Sequence, residues 1–306
     1  MKLFYADHFV LPLPPGHRFP MEKYARLRER LQASGLFRPD DFHEPPPATD
    51  TEILRAHDAG YLQRVVRGQL TPDELRLIGF PWSPAMVERS RRSSGATLAA
   101  CRAALEDGCA VNLAGGTHHA FRDPGEGFCV FNDAAIAALA MRAEHRVERL
   151  AIVDCDVHQG NGTAAILAHR ADCFTCSLHG AKNYPFDKER SDLDVELPDG
   201  TADGPYLDAL AMALETVFVR ADPQLVIYLA GADPYADDRL GRLALSLDGL
   251  AARDRLVLGE CRRRGVSVAI AMAGGYARQI DDTVEIHART VTLARQRFAP
   301  GPTEAP

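Results

Sequence analysis

Short apolar runs alternate with longer amphipathic segments along most of the chain of 306 residues. Most of these runs lack the regular alternation of apolar and polar positions that marks a half-exposed strand, so we expect strands that are buried on both faces. The six predicted strands occupy residues 2–6, 109–116, 149–157, 173–179, 224–232 and 266–275.

The segments between the strands have the periodicity of helices. The clearest predicted helices occupy residues 83–108, 131–145, 205–223 and 246–265, and the first of them has Ser83 at its N-cap followed by Pro84. Strands that alternate with helices are typical of a parallel sheet with helices on both faces. We therefore predict an α/β protein in three layers, with a mostly parallel central sheet.

Chain length and composition favour one domain. The chain is 46% hydrophobic, which is enough to bury a large core. We expect this domain to span residues 1–298 and to be followed by a flexible tail at residues 299–306, where Pro and Gly are frequent. No segment has the character of an interface, so the sequence leaves the oligomeric state open.

Charge and cysteine content limit the partners and the compartment. The net charge is −7, with Arg and Lys scattered among acids, which argues against a nucleic-acid partner or a membrane anchor. Asp7 and His8 interrupt the N-terminal apolar run, and no run approaches the ~20 residues of a membrane-spanning helix. Seven cysteines in apolar or helical contexts fit reduced thiols, so we expect a cytoplasmic protein.

Chemically related polar side chains follow four of the predicted strands. They are His118, His119, Asp154, Asp156, His158, Asp233 and Tyr276. Open parallel sheets bind their ligands beyond the carboxyl ends of the strands. Core packing explains one such residue easily, but it does not explain related groups at four strand ends. The sequence therefore predicts an active site at this edge.

Asp154, Asp156 and His158 alternate along the chain, so an extended backbone points all three to one side. Carboxylates and imidazole suit a divalent metal such as Zn²⁺, with Fe²⁺, Co²⁺ or Mn²⁺ as alternatives. A calcium-binding EF-hand is excluded, because Gln159 stands where that loop needs glycine and Ala165 where it needs a bidentate acid.

A phosphatase of the haloacid-dehalogenase type also begins a D-x-D motif after an apolar strand. That enzyme needs a downstream lysine to hold phosphate, and the only lysines after Asp156 are Lys182 and Lys188, in a predicted loop. It also leaves the segment "GGTHHAF" without a role. The two imidazoles of that segment, His118 and His119, would act as a general base and a general acid beside a metal-bound water.

Six motifs occur in order across nearly the whole chain: "GGTHHAF", "GFCVFNDAAIA", "VDCDVHQGNGT", "SLHGAKNYPF", "LAGADPYADD" and "AGGYA". Together they closely resemble the histone deacetylases and their bacterial relatives, which share the arginase/deacetylase fold. The "HQGNGT" and "HGAKNYPF" variants are more similar to the class IV branch than to classes I and II. The resemblance implies a metal-dependent deacetylase that hydrolyses the amide bond of acyl-lysine or of an acylated small amine. Among these, N6-acetyl-lysine is the substrate that the resemblance favours.

The resemblance also implies roles for individual residues. The implied ligands of Zn²⁺, with Fe²⁺ or Co²⁺ as alternatives, are Asp156, His158 and Asp233. His118 and His119 match the tandem histidines that move protons between the water and the leaving amine. Tyr276 matches the tyrosine whose hydroxyl stabilises the developing oxyanion. Asp154 is implied to orient His118 rather than to bind the metal.

The second histidine has an amide partner where many class I enzymes have a carboxylate. Asn161 stands at that position, and an amide fixes the imidazole tautomer without supplying charge. We therefore expect His119 to be neutral at working pH. The resemblance further implies a structural K⁺ or Na⁺ site. Its implied ligands are Asp154, Asp156, His158, Ser177 and Leu178.

The remaining implied residues line the substrate channel. Gly127 and Phe128, with Tyr184, match the aromatic walls that grip an acyl-lysine chain, and Leu240 matches an apolar position on the rim. Trp82 lies in the segment that carries a rim aspartate in class I enzymes. It is either a mouth residue that favours particular acyl-lysines, acylated amines or small amides, or a packed aromatic.

Arg18 matches an arginine near an internal cavity that accepts the released acetate. Three alternatives to the acyl-lysine enzyme stay open at the sequence level. The first is an amidohydrolase of acetylpolyamines or other small molecules with the same fold. The second is a non-catalytic protein that binds acyl-lysine. The third is a ureohydrolase with two Mn²⁺ ions.

Overall fold

Eight strands form one parallel β-sheet in the computed structural model, which describes residues 1–298. They are β1 (Leu3–Phe4), β2 (Phe42–His43), β3 (Cys109–Asn112), β4 (Leu150–Asp154), β5 (Cys173–Gly180), β6 (Leu193–Leu197), β7 (Leu225–Leu229) and β8 (Ser267–Ala271). Their order across the sheet is β2-β1-β3-β8-β7-β4-β5-β6, and every neighbouring pair is parallel.

Ten α-helices connect or cover the strands of the described chain. They are α1 (Lys23–Ala33), α2 (Asp50–Ile53), α3 (Ala59–Arg67), α4 (Pro72–Ile78), α5 (Pro84–Asp107), α6 (Asp133–Ala143), α7 (Asn161–Leu167), α8 (Asp203–Ala221), α9 (Leu247–Arg264) and α10 (Ile280–Phe298). A short 3-10 helix spans Pro39–Asp41.

The sheet separates two hydrophobic cores. Along β4, Leu150 and Ile152 belong to the core that includes residues of α3, α5 and α6. Ala151 and Val153 belong to the core that includes residues of α1, α8, α9 and α10. Because successive strand residues point to opposite faces, a strand buried on both faces is expected to be mostly apolar on both. The predicted three-layer α/β fold is confirmed.

All six predicted strands and the four predicted helices are present. Ser83 caps α5, since its hydroxyl accepts a hydrogen bond of 3.1 Å from the Met86 amide. The sequence interpretation missed β2, which has two residues, and β6, an edge strand that is only partly buried. The domain boundary stays a prediction, and the proposed tail at residues 299–306 lies outside the described residues.

The fold brings the candidate chemistry together because four of the strands are neighbours. Candidate residues follow β3, β8, β7 and β4, which are adjacent in that order in the sheet. All seven cysteines are buried, and none is in a disulfide within residues 1–298. In the same part of the chain, the helices are either too short or too polar to cross a bilayer.

Candidate active site

Three ligand-type side chains converge at the centre of this edge. Asp156 and His158 lie in the loop after β4, and Asp233 lies in the loop after the neighbouring β7. One ligating atom from each residue lies within 4.8 Å of the others. Within residues 1–298 this is the one group of His, Cys, Asp or Glu side chains with such spacing. The structure therefore brings together the three predicted metal ligands.

The contacts of these three side chains fit a divalent cation. Nδ1 of His158 lies 2.9 Å from Oδ1 of Asp156 and 3.4 Å from Oδ2 of Asp233. Backbone amides satisfy the other carboxylate oxygens: Gly274 donates to Oδ2 of Asp156 at 2.7 Å, and Val157 donates to Oδ1 of Asp233 at 2.9 Å. Oδ2 of Asp233 is buried without a hydrogen-bond partner in the described residues.

A buried carboxylate oxygen without a partner is costly, and a bound cation would remove that cost. Two oxygens and one nitrogen are a ligand set that zinc accepts, with coordination positions left for water and substrate. The backbone passes very close to the site at Gly274, where an added Cβ atom would lie 1.9 Å from Oδ2 of Asp233. Only glycine fits there, so the geometry requires Gly274 in the local sequence "AGGY".

His118 is bound to a carboxylate. Its Nδ1 lies 2.6 Å from Oδ2 of Asp154, and its Nε2 faces Asp156 at 3.9 Å. Burial opposes the charged imidazole, but the negative charges of Asp154 and Asp156 and the hydrogen bond to Asp154 outweigh it and raise the pKa of His118 to about 9. Asp154 is also fixed by the Asp156 amide, at 3.1 Å. It therefore lies behind His118, as the sequence interpretation expects.

His119 is bound to an amide. Its Nδ1 lies 2.7 Å from Oδ1 of Asn161, the first residue of α7. Burial and the positive charges of His118 and His158 lower the pKa of His119 well below its ordinary value. This direction agrees with the expectation that His119 is neutral. The ring of Tyr184 packs edge-on against it, with centroids 5.0 Å apart.

Tyr276 is fixed by a hydrogen bond from its backbone amide and by an aromatic neighbour of its ring. Its amide donates to Oδ2 of Asp238 at 2.6 Å, and its ring centroid lies 6.1 Å from that of Phe128. Burial raises the pKa of Tyr276 well above its ordinary value. Its hydroxyl therefore stays protonated and is able to donate a hydrogen bond.

The predicted channel residues surround these groups. Phe128 follows Gly127 in a loop, and its ring packs against Phe19 and Phe80. An added Cβ atom at Gly127, which has a φ of 57°, would lie 2.6 Å from the ring of His119. Leu240 is fixed beside the site, because Oδ1 of Asp238 accepts from its amide at 2.8 Å. Their contacts with substrate stay a prediction.

Trp82 and Arg18 lie further out. The Trp82 indole donates to the Val65 carbonyl at 2.7 Å and its ring lies against Gly68, so it packs on the end of α3. Arg18 lines an open cavity of about 690 Å³ that reaches Tyr276. Arg89 is among the residues that line a separate, smaller cavity of about 40 Å³. The role of Arg18 in acetate release stays a prediction.

The residues of the predicted monovalent-cation site are close in the sheet. Asp154 of β4 pairs in register with Ser177 of β5, and Leu178 follows in the same strand. The Ser177 hydroxyl also lies 3.0 Å from Nδ1 of His179. The position of an ion there stays a prediction.

The sequence interpretation missed two buried cations that support the site. Lys23 lies only 2% exposed at the start of α1, with Nζ 3.3 Å from the Ala273 carbonyl and 5.3 Å from the Tyr276 ring centroid. Nη1 of Arg253 lies 2.5 Å from the Gly231 carbonyl and 3.4 Å from the Cys155 carbonyl. Each contact joins residues far apart in the chain, and no local motif indicates it.

Comparisons with known proteins show what the chain is similar to. The model of the histone deacetylase domain matches residues 17–291. An uncharacterised protein of Picosynechococcus is 42% identical over 294 residues, which cover 96% of this chain and 98% of that protein. The histone deacetylase-like amidohydrolase of Pseudomonas aeruginosa is 33% identical over 288 residues, covering 87% of this chain and 74% of that protein.

A solved structure shows the same fold. The crystal structure of a histone deacetylase homologue from Aquifex aeolicus superposes with a TM-score of 0.82 at 24% identity. The match covers 96% of this chain and 83% of that chain. The predicted arginase/deacetylase-like fold is therefore confirmed.

Proposed function

The chain belongs to the histone deacetylase family and is a hydrolase that acts on amide bonds, and we propose that it uses zinc to remove an acyl group, first of all acetyl, from the ε-amine of lysine. One observation carries the proposal. The ligand group Asp156, His158 and Asp233 lies at the same sheet edge as the histidine pair and Tyr276, at the ends of four adjacent strands.

Asp156, His158 and Asp233 would hold the zinc ion. The unpaired, buried Oδ2 of Asp233 and the mixed oxygen and nitrogen donors support this assignment. When bound, zinc supplies Lewis-acid chemistry, in that it polarises the acyl carbonyl and lowers the pKa of a water molecule. Fe²⁺ and Co²⁺ are the alternative ions for such a site.

The two histidines divide the proton transfers. With Nδ1 committed to Asn161, the neutral His119 has Nε2 available to accept a proton from the attacking water. His118 carries a proton that Asp154 stabilises, and its Nε2 faces the site. It is therefore suited to protonate the leaving amine, which must depart as a neutral group. Because the pKa values of the two histidines are shifted in opposite directions, His119 can accept a proton in the first step and His118 can donate one in the second.

Tyr276 stabilises the oxyanion. Its protonated hydroxyl would donate a hydrogen bond to the carbonyl oxygen as negative charge develops there. The Asp238 carboxylate fixes the backbone of Tyr276, and the Lys23 ammonium binds carbonyls on the loop that carries it. These contacts support a donor that is oriented before the substrate arrives.

A monovalent cation and a reducing compartment belong to the same proposal. The paired positions of Asp154 and Ser177 support a K⁺ or Na⁺ site with Asp156, His158 and Leu178. The buried and unpaired cysteines support a location in the cytoplasm.

An acylated small amine, such as an acetylpolyamine, is the second candidate substrate. The observation that favours it lies in the segment where class I enzymes carry a rim aspartate. Ser83 is occupied as the cap of α5, and Trp82 packs against α3 through its bond to Val65. Neither residue offers a carboxylate to the backbone of a peptide.

Amine release from a panel of substrates tests the proposal. Zinc-loaded protein is assayed on acetyl-lysine and longer acyl-lysine peptides and on acetylpolyamines, with chelator-treated protein as the control. Release from peptides supports the lysine deacylase, and release from polyamines alone supports the second candidate. Binding of these compounds without release would favour a non-catalytic binding protein and contradict the hydrolase.

A further inference from the structure

A tight turn places Glu126 at the edge of the active site. The Cys129 amide donates to the Glu126 carbonyl at 2.9 Å. The two residues between them, Gly127 and Phe128, have φ values of 57° and 65°, as in a type I′ turn. Their amides donate to carbonyls at the end of α4, at distances of 2.9 and 2.8 Å. The turn and these anchors fix the point from which the Glu126 side chain extends.

The Glu126 carboxylate contacts the amide that binds His119. Oε1 of Glu126 lies 2.6 Å from Nδ2 of Asn161. An ionised carboxylate can only accept hydrogen bonds, so the NH₂ group of Asn161 must face Glu126. The carbonyl oxygen of the same amide must then face the imidazole, and it lies 2.7 Å from Nδ1 of His119. Glu126 therefore determines the orientation of the Asn161 amide.

The orientation of the amide determines the tautomer of His119. A carbonyl oxygen accepts a hydrogen bond, so Nδ1 of a neutral His119 must carry the proton and Nε2 must be free to accept one. With the amide turned over, an NH₂ group would face Nδ1. The other tautomer would then be favoured, with a proton on Nε2 and no capacity to act as a base.

We propose that Glu126 is a positioning residue that acts through Asn161 to keep His119 in the tautomer with a proton on Nδ1. The catalytic consequence rests on the proposed hydrolase function. The hydrogen-bond chain from Glu126 to His119 does not depend on it, so the two can be tested separately. Glu126 acts through another residue and touches neither the ligand group nor, in this account, the reacting atoms.

Exchanging the acid and the amide between positions 126 and 161 tests this chain of hydrogen bonds through its effect on enzyme activity. Glu126→Gln replaces the carboxylate by a group that both donates and accepts, so it no longer determines which end of Asn161 faces His119. We expect kcat to fall by about tenfold with little change in KM, as for other partners that orient an active-site histidine. Asn161→Asp should also lower kcat, because it brings two carboxylates together.

The double variant Glu126→Gln and Asn161→Asp should recover much of the activity. The aspartate at position 161 accepts hydrogen bonds from both His119 and the glutamine, so no donor or acceptor is left without a partner. The kcat of the double variant should therefore exceed the value expected from additive losses by about tenfold. Glu29→Gln, at an exposed position of α1, is the matched control and should behave as wild type. A Glu126→Gln variant with wild-type kcat, or a double variant with simply additive losses, would overturn the proposal.

NMR of the histidine ring nitrogens tests the hydrogen-bond chain from Glu126 to His119 without any substrate. In protein labelled with ¹⁵N-histidine, with His119 assigned from a His119→Ala variant, wild type should show His119 protonated at Nδ1. Glu126→Gln should shift His119 towards the Nε2 tautomer, and Glu29→Gln should not. The same tautomer in wild type and Glu126→Gln would overturn the proposal. If wild type releases no amine from any substrate, the hydrolase function fails, and this measurement still decides the role of Glu126.

Discussion

The imidazole rings of His118 and His119 lie 4.2 Å apart, centroid to centroid, and the protein moves their pKa values in opposite directions. Both rings are buried, which disfavours the charged form of each. Asp154 supplies a compensating charge to His118, whereas Asn161 gives His119 only an amide oxygen. Once His118 is charged, it further disfavours protonation of His119.

An NMR titration of the metal-free protein tests this division. His118 should hold its proton up to a pH of about 9, and His119 should be neutral at pH 7. Asp154→Asn removes the opposing charge and should lower the pKa of His118 by about one unit or more. Protonation of His119 well above pH 7 would contradict the account of its amide partner.

Removal of the Tyr276 hydroxyl tests the oxyanion role. Tyr276→Phe should lower kcat by about 10²–10³, as expected for the loss of one oxyanion donor. Zinc content and melting temperature should be unchanged, because the hydroxyl is not among the predicted ligands. Wild-type turnover by this variant on its best substrate would show that the assigned mechanism is wrong.

The affinity for metal should rise with pH. The hydrogen bond to Asp156 and the negative charges of Asp156 and Asp233 outweigh burial and raise the pKa of His158 to about 10 in the metal-free protein. Burial and the Asp156 charge raise the pKa of Asp233 to about 7. A cation must displace these protons, so the Kd for Zn²⁺ should fall by about tenfold per pH unit for each proton released.

Competition with a chelator at pH 7, 8 and 9 measures this dependence. A Zn²⁺ affinity that is constant or falls from pH 7 to pH 9 would contradict the ligand assignment.

The raised pKa of His158 has a second consequence, which concerns the stability of the metal-free protein. Its contribution to stability is fully present below a pH of about 6.5, its ordinary pKa, and is lost as the pH rises through about 10.

Arg253 should be essential for stability. It is fully buried in α9, where it pairs with Asp254 at 2.9 Å and binds the carbonyls of Gly231 and Cys155, which precede the proposed metal ligands Asp233 and Asp156. Arg253→Ala leaves the buried Asp254 carboxylate with the Tyr228 and Thr290 hydroxyls but without its cationic partner, and it should lower the free energy of unfolding by about 3–5 kcal/mol. Arg255→Ala, at an exposed position of the same helix, should change it by less than about 0.5 kcal/mol.

Chemical denaturation of the two variants measures this difference, and the Zn²⁺ affinity of Arg253→Ala should fall with its stability. Equal unfolding free energies for the Arg253 and Arg255 variants would show that the buried ion pair does not support the loops of the site.

The sequence predicted the parts of the fold that depend on local pattern. Strands such as β4 and β7 are almost entirely apolar because both faces are buried, and that pattern is visible in one short window. The ends of these strands also carry the polar residues of the site. By contrast, β6 is only partly buried and mixes Leu and Val with Asp and Glu, so it has no comparable pattern.

The residues that support the site could not be predicted in this way. Lys23 contacts Gly275 across 252 positions of the chain, and Glu126 contacts Asn161 across 35 positions. Such contacts arise from packing between elements and leave no periodic or motif signal. The packing of Trp82 on Val65 is a further case, since the sequence could not decide between the channel mouth and the interior.

Zinc titration of metal-stripped protein, followed by amine release from the best substrate of the panel, tests whether the protein is a zinc-dependent hydrolase. Activity should rise with added zinc and reach its maximum at one ion per chain, since the three predicted ligands form one group in the described residues. A maximum at two ions per chain would favour a dinuclear ureohydrolase. Full activity without zinc, or no amine release at any zinc level, would contradict a zinc-dependent hydrolase.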